Sequence, residues 1–386
     1  MDEAHILETL AALVAFETVS DRSNLPLIDW AEAHLRGHGF RTERVPDETG
    51  AKASLFATIG PDDAPGFVLS GHTDVVPVEG QSWTGDPWRL RRDGDRVHGR
   101  GACDMKGFVA VCLALAPAMA AAALRRPIHL ALSYDEEVGC VGGRRLAEHL
   151  AARAFRAEAC FVGEPSLMGV VVGHKGKRSV RATVRGVTCH SSLAPIGVNA
   201  VEWGARLVAE IRRVSDELAA SGARDPLYDV AHSTGHVGVF RGGTALNIVP
   251  DEAEIVFEFR TVSADDPDAL IRGIESYART VLEPGMKAID PAAGFEFEVF
   301  AGFPGLDTAA DAAVATLARG LSGSNGAGKV AYGTEAGLFA EIAGIPSVVI
   351  GPGSIEQAHK ADEWIAVDEL MRCANFVERL IAKASS

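Results

Sequence analysis

The sequence predicts an α/β protein, with a mainly parallel sheet covered by helices and an inserted, smaller α+β domain. Three observations predict it. Helix-like and strand-like segments alternate from residue 1 to about 174. The strand-like runs there ("GFVLSGHT", "IHLALSY", "ACFVGE") are almost continuously apolar, as strands buried on both faces are. From about 177 the pattern becomes alternating, in "KRSVRATVRGVT" and "EAEIVFEFRTV", which marks strands with one wet face. The first pattern returns after about 303, so the main domain is expected at 1–176 and 304–386 and the insertion at 177–303.

The elements follow in order. Residues 3–17 open with acids and read as an amphipathic helix; without a basic leading segment they do not read as a signal peptide. A helix over 27–38 precedes the strands "SLFATIG" and "GFVLSGHT". Residues 108–124 are the longest nearly apolar run. They contain Pro117, fall short of the ~20 residues a membrane span needs, and are expected to form a buried helix. Within 177–303 the order is strand, helix (199–219), two strands, helix (266–282), strand, which predicts a ferredoxin-like unit. A helix near 307–320, the strand "GIPSVVIGPG" and a last helix end the chain.

A net charge of −15 argues against nucleic-acid or anionic-membrane partners, whose phosphates need a basic face. The six cysteines are scattered without a C-x-x-C pair, so neither a disulfide framework nor a thiolate zinc site is expected. Free thiols fit a reducing cytoplasm.

Chemistry gathers at the ends of strands. "VLSGHTDVVP" ends a strand with His72 and Asp74, "LALSYDEEVG" with Glu136 and Glu137, and "CFVGEPS" with Glu164. Asp104 lies in the Gly-rich "RVHGRGACDMKG", and His359 follows the strand "VVIGPG". In a parallel sheet the C-terminal strand ends share one edge, where ligands bind. Two histidines with several carboxylates and no thiolate suit Zn²⁺, with Co²⁺ or Mn²⁺ as alternatives. The carboxylates exceed the needs of one tetrahedral ion, which points to two ions sharing a bridge. In an extended segment Asp74 lies on the same side as His72 and can fix its ring from behind. Neighbouring Glu136 and Glu137 point to opposite sides, so one can bind metal while the other serves as a base.

These motifs together ("GHTDVVP", "GRGACDMKG", "SYDEEVG", "VGEP", "GHKG", "QAHKADE") resemble the dinuclear-zinc family of deacylases and exopeptidases. "TCHSSLAPIGVNAV", "GGTALNIVPDEAEIVFEFR", "YGTEAGLF" and "GPGSIEQAHKADEW" look most like its acetylornithine-hydrolysing branch. The resemblance implies His72, Glu137, Glu164 and His359 as terminal zinc ligands and Asp104 as the bridge, with a cis Asp104–Met105 peptide. It implies Glu136 as general base, with Asp74 behind His72, and His190 as oxyanion donor from the other subunit of a homodimer. The insertion would be its lid and dimerisation domain. Arg260 would pair with the substrate α-carboxylate; Asn247, Thr334 and Lys175 would help bind a small N-acyl amino acid. Glu335 is a candidate for the ornithine ammonium. Ala361 and Trp364 depart from the resemblance, which leads one to expect a proline and a smaller aromatic. The function implied is removal of the acetyl group from N2-acetyl-L-ornithine. The alternatives are a deacylase for succinyl-diaminopimelate or acetylcitrulline, and a non-catalytic binding protein on the same fold.

Overall fold

The computed structural model describes residues 2–386. Two compact units are present, one running to His174 and resuming with Leu306–Ser386, the other Lys175–Gly305.

The first unit is built on a large sheet. Its strands lie in the order Arg41–Pro46, Ala53–Ile59, Ile128–Ser133, Gly66–His72, Ala157–Val162, Ser347–Val349, Val170–His174, Leu306–Asp307. Ala327–Val330 also pairs with Val170–His174. The centre is parallel, from Ile128–Ser133 through Ser347–Val349. The flanks are antiparallel, so the sheet is mixed rather than simply parallel. Only residues 47–52 join Arg41–Pro46 to Ala53–Ile59, and so short a link permits a hairpin but no crossover.

Every residue of Gly66–His72 and Ile128–Ser133 is buried, as their unbroken apolar character requires. The helix Lys106–Ala114 is buried all round in the same core as Phe67, Leu69, Phe161 and Phe376. The apolar run 108–124 is not one helix. It breaks after Ala114 and restarts as Ala116–Ala121, with Pro117 in the first turn, where its missing N–H costs nothing. The C-terminal helix Val367–Ala384 covers the core with Leu370, Phe376, Val377 and Leu380. Among the described residues no helix is long and apolar enough to cross a membrane.

The second unit is an antiparallel sheet in the order Thr234–Gly242, Glu252–Thr261, Gly176–Arg185, Gly294–Phe303. With the helices Ala200–Ser221 and Pro267–Tyr277 this is the ferredoxin-like arrangement. Alternate residues of Glu252–Thr261 are buried, and Ile255, Phe257 and Phe259 pack with Leu207 and Ile211. Asn199 starts the long helix by accepting the Val201 and Glu202 N–H groups.

Candidate metal centre

The parallel strands deliver their polar ends to one edge. His72 is the last residue of its strand, Asp135, Glu136 and Glu137 follow Ser133, and Glu164 follows Val162. The strand Ser347–Val349 runs on to His359, whose backbone is left-handed at φ 60°. Asp104 lies in the turn ahead of the helix Lys106–Ala114, and the Asp104–Met105 peptide is cis.

Asp104 divides its two oxygens. Oδ1 is 3.1 Å from His72 Nε2, and Oδ2 is 3.2 Å from His359 Nε2. Glu164 Oε1 is 3.7 Å from His72 Nε2, and Glu137 Oε2 is 3.0 Å from His359 Nε2. The donors therefore form two sets, His72 with Glu164 and His359 with Glu137, sharing Asp104. Donors about 2.0–2.2 Å from a tetrahedral ion stand about 3.3 Å from one another. The observed separations bracket that value, so the residues fit a pair of small divalent cations. Glu136 reaches the same place, with one donor atom each from His72, Glu136 and Glu164 within 4.8 Å of one another.

The proton positions agree. His72 Nδ1 lies 2.9 Å from the Asp74 carbonyl, which can only accept, so Nδ1 donates. Nε2 then faces the Asp104 and Glu164 carboxylates, so a proton or a metal ion has to stand between them. Burial works against a charged ring, but hydrogen bonds to Asp104 and Asp74 and the nearby carboxylates outweigh it and raise His72 well above its ordinary range. Burial raises the Glu136 and Glu164 carboxyls well above their ordinary range, and neighbouring carboxylates add to it. Burial and then Asp104 raise Glu137 too. Hydrogen bonds to Asp104 and Glu137 lift His359 to about 10. Divalent cations would offset this crowding.

Asp74 does more than was expected of it. The hydrogen bond from His72 goes to its carbonyl, and its carboxylate Oδ1 is farther, at 3.5 Å. That carboxylate instead accepts the N–H groups of Glu136 (3.1 Å) and Glu137 (3.2 Å) and the Ser20 hydroxyl (2.7 Å). It thereby fixes the backbone of both glutamates. Their divergence does not come from strand alternation. The strand ends at Ser133, and Asp135 turns the chain with φ 54°. Lys52 holds that turn through both Asp135 oxygens, at 2.7 and 2.6 Å. Beyond it, Glu137 faces His359 while Glu136 Oε1 accepts the Cys140 thiol at 3.3 Å.

The remaining candidates separate. His190 and Asn247 lie exposed in the second unit, joined by a bridge between His190 and Ile248. The Ser192 N–H donates to His190 Nδ1, so the neutral ring carries its proton on Nε2. Arg260 donates through Nε to Glu258 at 2.8 Å, and Lys177 shares that carboxylate at 3.3 Å. Lys175, expected to bind substrate, donates to the His232 carbonyl at 2.6 Å. Thr334 is fully buried, and its hydroxyl accepts the Ala336 N–H at the start of a helix. This hydrogen bond steadies the turn that leads into the helix.

Glu335 is buried as well, not an open acidic pocket. Gly143 leaves room for it, since a Cβ there would meet Glu335 Oε1 at 2.2 Å. Its oxygens face the Ser70 and Ser133 hydroxyls, whose hydrogen bonding lowers its pKa by less than burial raises it. Burial pushes its carboxyl from 4.5 up to about 7. The folded chain thus holds this proton more tightly than the unfolded chain. The resulting stability is present below pH 4.5 and is lost as pH rises through about 7. At 1.36 kcal/mol per pKa unit the loss is about 3 kcal/mol. Glu335→Gln is expected to abolish it: wild type should lose melting temperature against the variant between pH 5 and pH 8. Parallel melting curves would refute this.

Sequence reasoning missed Ser20 and Cys140, which hydrogen-bond to Asp74 and Glu136, and no spacing marks such contacts in a sequence.

Residues 68–383 match the model of "Peptidase family M20/M25/M40", and the chain belongs to this family. It is a hydrolase acting on amide bonds. Among curated relatives, acetylornithine deacetylase of Myxococcus xanthus is 35% identical over 97% of this chain and 96% of its own length. Acetylornithine deacetylase of Pasteurella multocida is 28% identical over 98% and 97%. Among solved structures, a tripeptidase from Staphylococcus aureus superposes with a TM-score of 0.77 at 22% identity, covering 100% of this chain and 99% of that one. An M20 family metallo-carboxypeptidase from Sulfolobus solfataricus gives 0.77 at 19% identity, with both chains fully covered (100%). These two likenesses concern the fold.

Proposed function

We propose that the chain hydrolyses N2-acetyl-L-ornithine to L-ornithine and acetate with two Zn²⁺, for which Co²⁺ or Mn²⁺ can substitute. The divided Asp104 carboxylate carries the two-ion reading, and the names of the curated relatives carry the substrate. His72, Glu164 and Asp104 would hold one ion; His359, Glu137 and Asp104 the other. Bound divalent ions supply Lewis-acid polarisation of an amide carbonyl and acidify a water. Glu136 takes the proton of the attacking water. Glu136 then gives the proton to the leaving nitrogen as the C–N bond breaks, and the water oxygen stays in acetate. His190, reaching across the homodimer, donates Nε2–H to the developing oxyanion. Arg260 meets the substrate α-carboxylate with the guanidinium nitrogens that Glu258 leaves free, and Asn247 lies beside His190 to orient the substrate.

The Lys175–Gly305 unit would serve as lid and as the contact of a homodimer. Leu246 is fully exposed (100%), with Leu193, Ile196 and Ile248 also open to solvent in the same unit, an apolar exposure a partner would cover. The six cysteines are free, which suits a cytoplasmic protein.

The test strips the metal, restores Zn²⁺ or Co²⁺, and compares N2-acetyl-L-ornithine, N-acetyl-L-citrulline and N-succinyl-L,L-diaminopimelate. Metal-dependent turnover should favour acetylornithine. Preference for another of the three would reassign the substrate, and no metal-dependent turnover would defeat the reading.

A further inference from the structure

The two donor sets are held by different means. His72 ends a central sheet strand and Glu164 follows another, so the strand ladders set their spacing. Asp104 and His359 both lie in loops; the pairing of His98 with Trp364 joins the far ends of those loops, and Asp104 and His359 themselves lie outside it.

A buried carboxylate and guanidinium stand between those loops. Arg100 and Glu363 side chains are each 1% exposed and meet at 2.8 Å. Glu363 Oε1 accepts the N–H groups of Cys103 (2.9 Å) and Asp104 (3.0 Å). Its Oε2 accepts Gly101 N–H at 3.0 Å as well as Arg100. One carboxylate therefore gathers the backbone that bears Asp104. Arg100 turns the other way, to the Lys360 carbonyl at 3.4 Å, the Pro77 carbonyl at 3.3 Å, and the Gln81 side-chain oxygen. Gln81 Nε2 then donates to the His359 carbonyl at 3.1 Å. Trp83 closes the group, donating to Gln81 at 3.2 Å and lying 5.1 Å from the Arg100 guanidinium carbon.

We propose that Arg100, Glu363 and Gln81 are positioning residues that fix the spacing of Asp104 and His359, and so support the His359–Glu137 set more than the His72–Glu164 set. A buried ion pair is poor evidence for stability as such, because desolvation offsets its attraction. This one accepts three loop N–H groups, donates to the Lys360 and Pro77 carbonyls, and reaches the His359 carbonyl through Gln81, which an apolar pair of the same volume could not do. The proposal rests on the two-ion reading, and its test separates the two.

Metal-free protein is titrated with Zn²⁺ in a calorimeter against a competing chelator. Wild type should bind two ions. Gln81→Met should weaken one of the two events about 10-fold and leave the other unchanged; Glu363→Gln, which loosens the backbone of the shared Asp104, should weaken both. Gln81 is half-buried on a loop, so its variant carries the test if Glu363→Gln fails to fold. Two events of wild-type affinity in Gln81→Met, or equal weakening of both, would overturn the positioning role. A wild type that binds a single ion would overturn the two-ion reading beneath it.

Discussion

Replacing Glu136 by glutamine is expected to lower kcat about 10³-fold, a barrier increase of about 4 kcal/mol, while both ions stay bound. The amide keeps the shape of the side chain and an oxygen for the Cys140 thiol, but it cannot take a proton from water. Asp74 would still hold the Glu136 and Glu137 backbone, so the donors on either side of the site should not move. KM should change little, because the lost interaction belongs to the transition state. The check is kcat measured beside metal content on the same preparation. Turnover near the wild-type rate with full metal content would remove Glu136 from its role as base.

The second large effect belongs to Asp104. Each of its oxygens faces a different histidine, so Asp104→Ala should empty both donor sets rather than one, and activity should fall to background. Stability supplies an independent readout. Ligand at about 100 times its Kd stabilises a fold by about 2.7 kcal/mol, so a chelator should lower the wild-type melting temperature. The variant has nothing to lose, and its melting temperature should ignore the chelator. A chelator-sensitive melt in Asp104→Ala would mean that at least one ion is held without the shared carboxylate.

Much of the site was legible because a parallel sheet turns sequence position into spatial position. His72, Glu137 and Glu164 end or follow apolar runs, and runs of that kind converge at one edge. The cis Asp104–Met105 peptide came from resemblance; the division between Glu136 and Glu137 was expected from strand alternation, whereas the positive φ of Asp135 that creates it left no mark in the residue pattern. Thr334 was expected from the resemblance and Glu335 as a candidate for the ornithine ammonium, and both are buried where a helix starts. Polarity alone does not distinguish a buried residue from an open one. The same ambiguity hid Glu363, one acid among several in "QAHKADE" and the residues after it. The antiparallel flank was missed because Ala53–Ile59 is as apolar as its parallel neighbours; the shortness of residues 47–52 was the available sign.

The points where the chain leaves and rejoins the first unit have a consequence for ancestry. His174 and Leu306 are directly opposed partners in an antiparallel pair, and a Cβ on Gly176 would meet the Gly305 nitrogen at 3.0 Å. Residues 175–305 thus depart and return through a gap that a tight turn could close. In that geometry the ferredoxin-like segment is an elaboration of a hairpin tip. A forebear lacking it could have folded and carried all of His72, Asp104, Glu137, Glu164 and His359. On that history, the proposed substrate-binding groups, Arg260 and His190, would have been added to a scaffold that already carried the metal donors, and they could diverge among descendants without disturbing it.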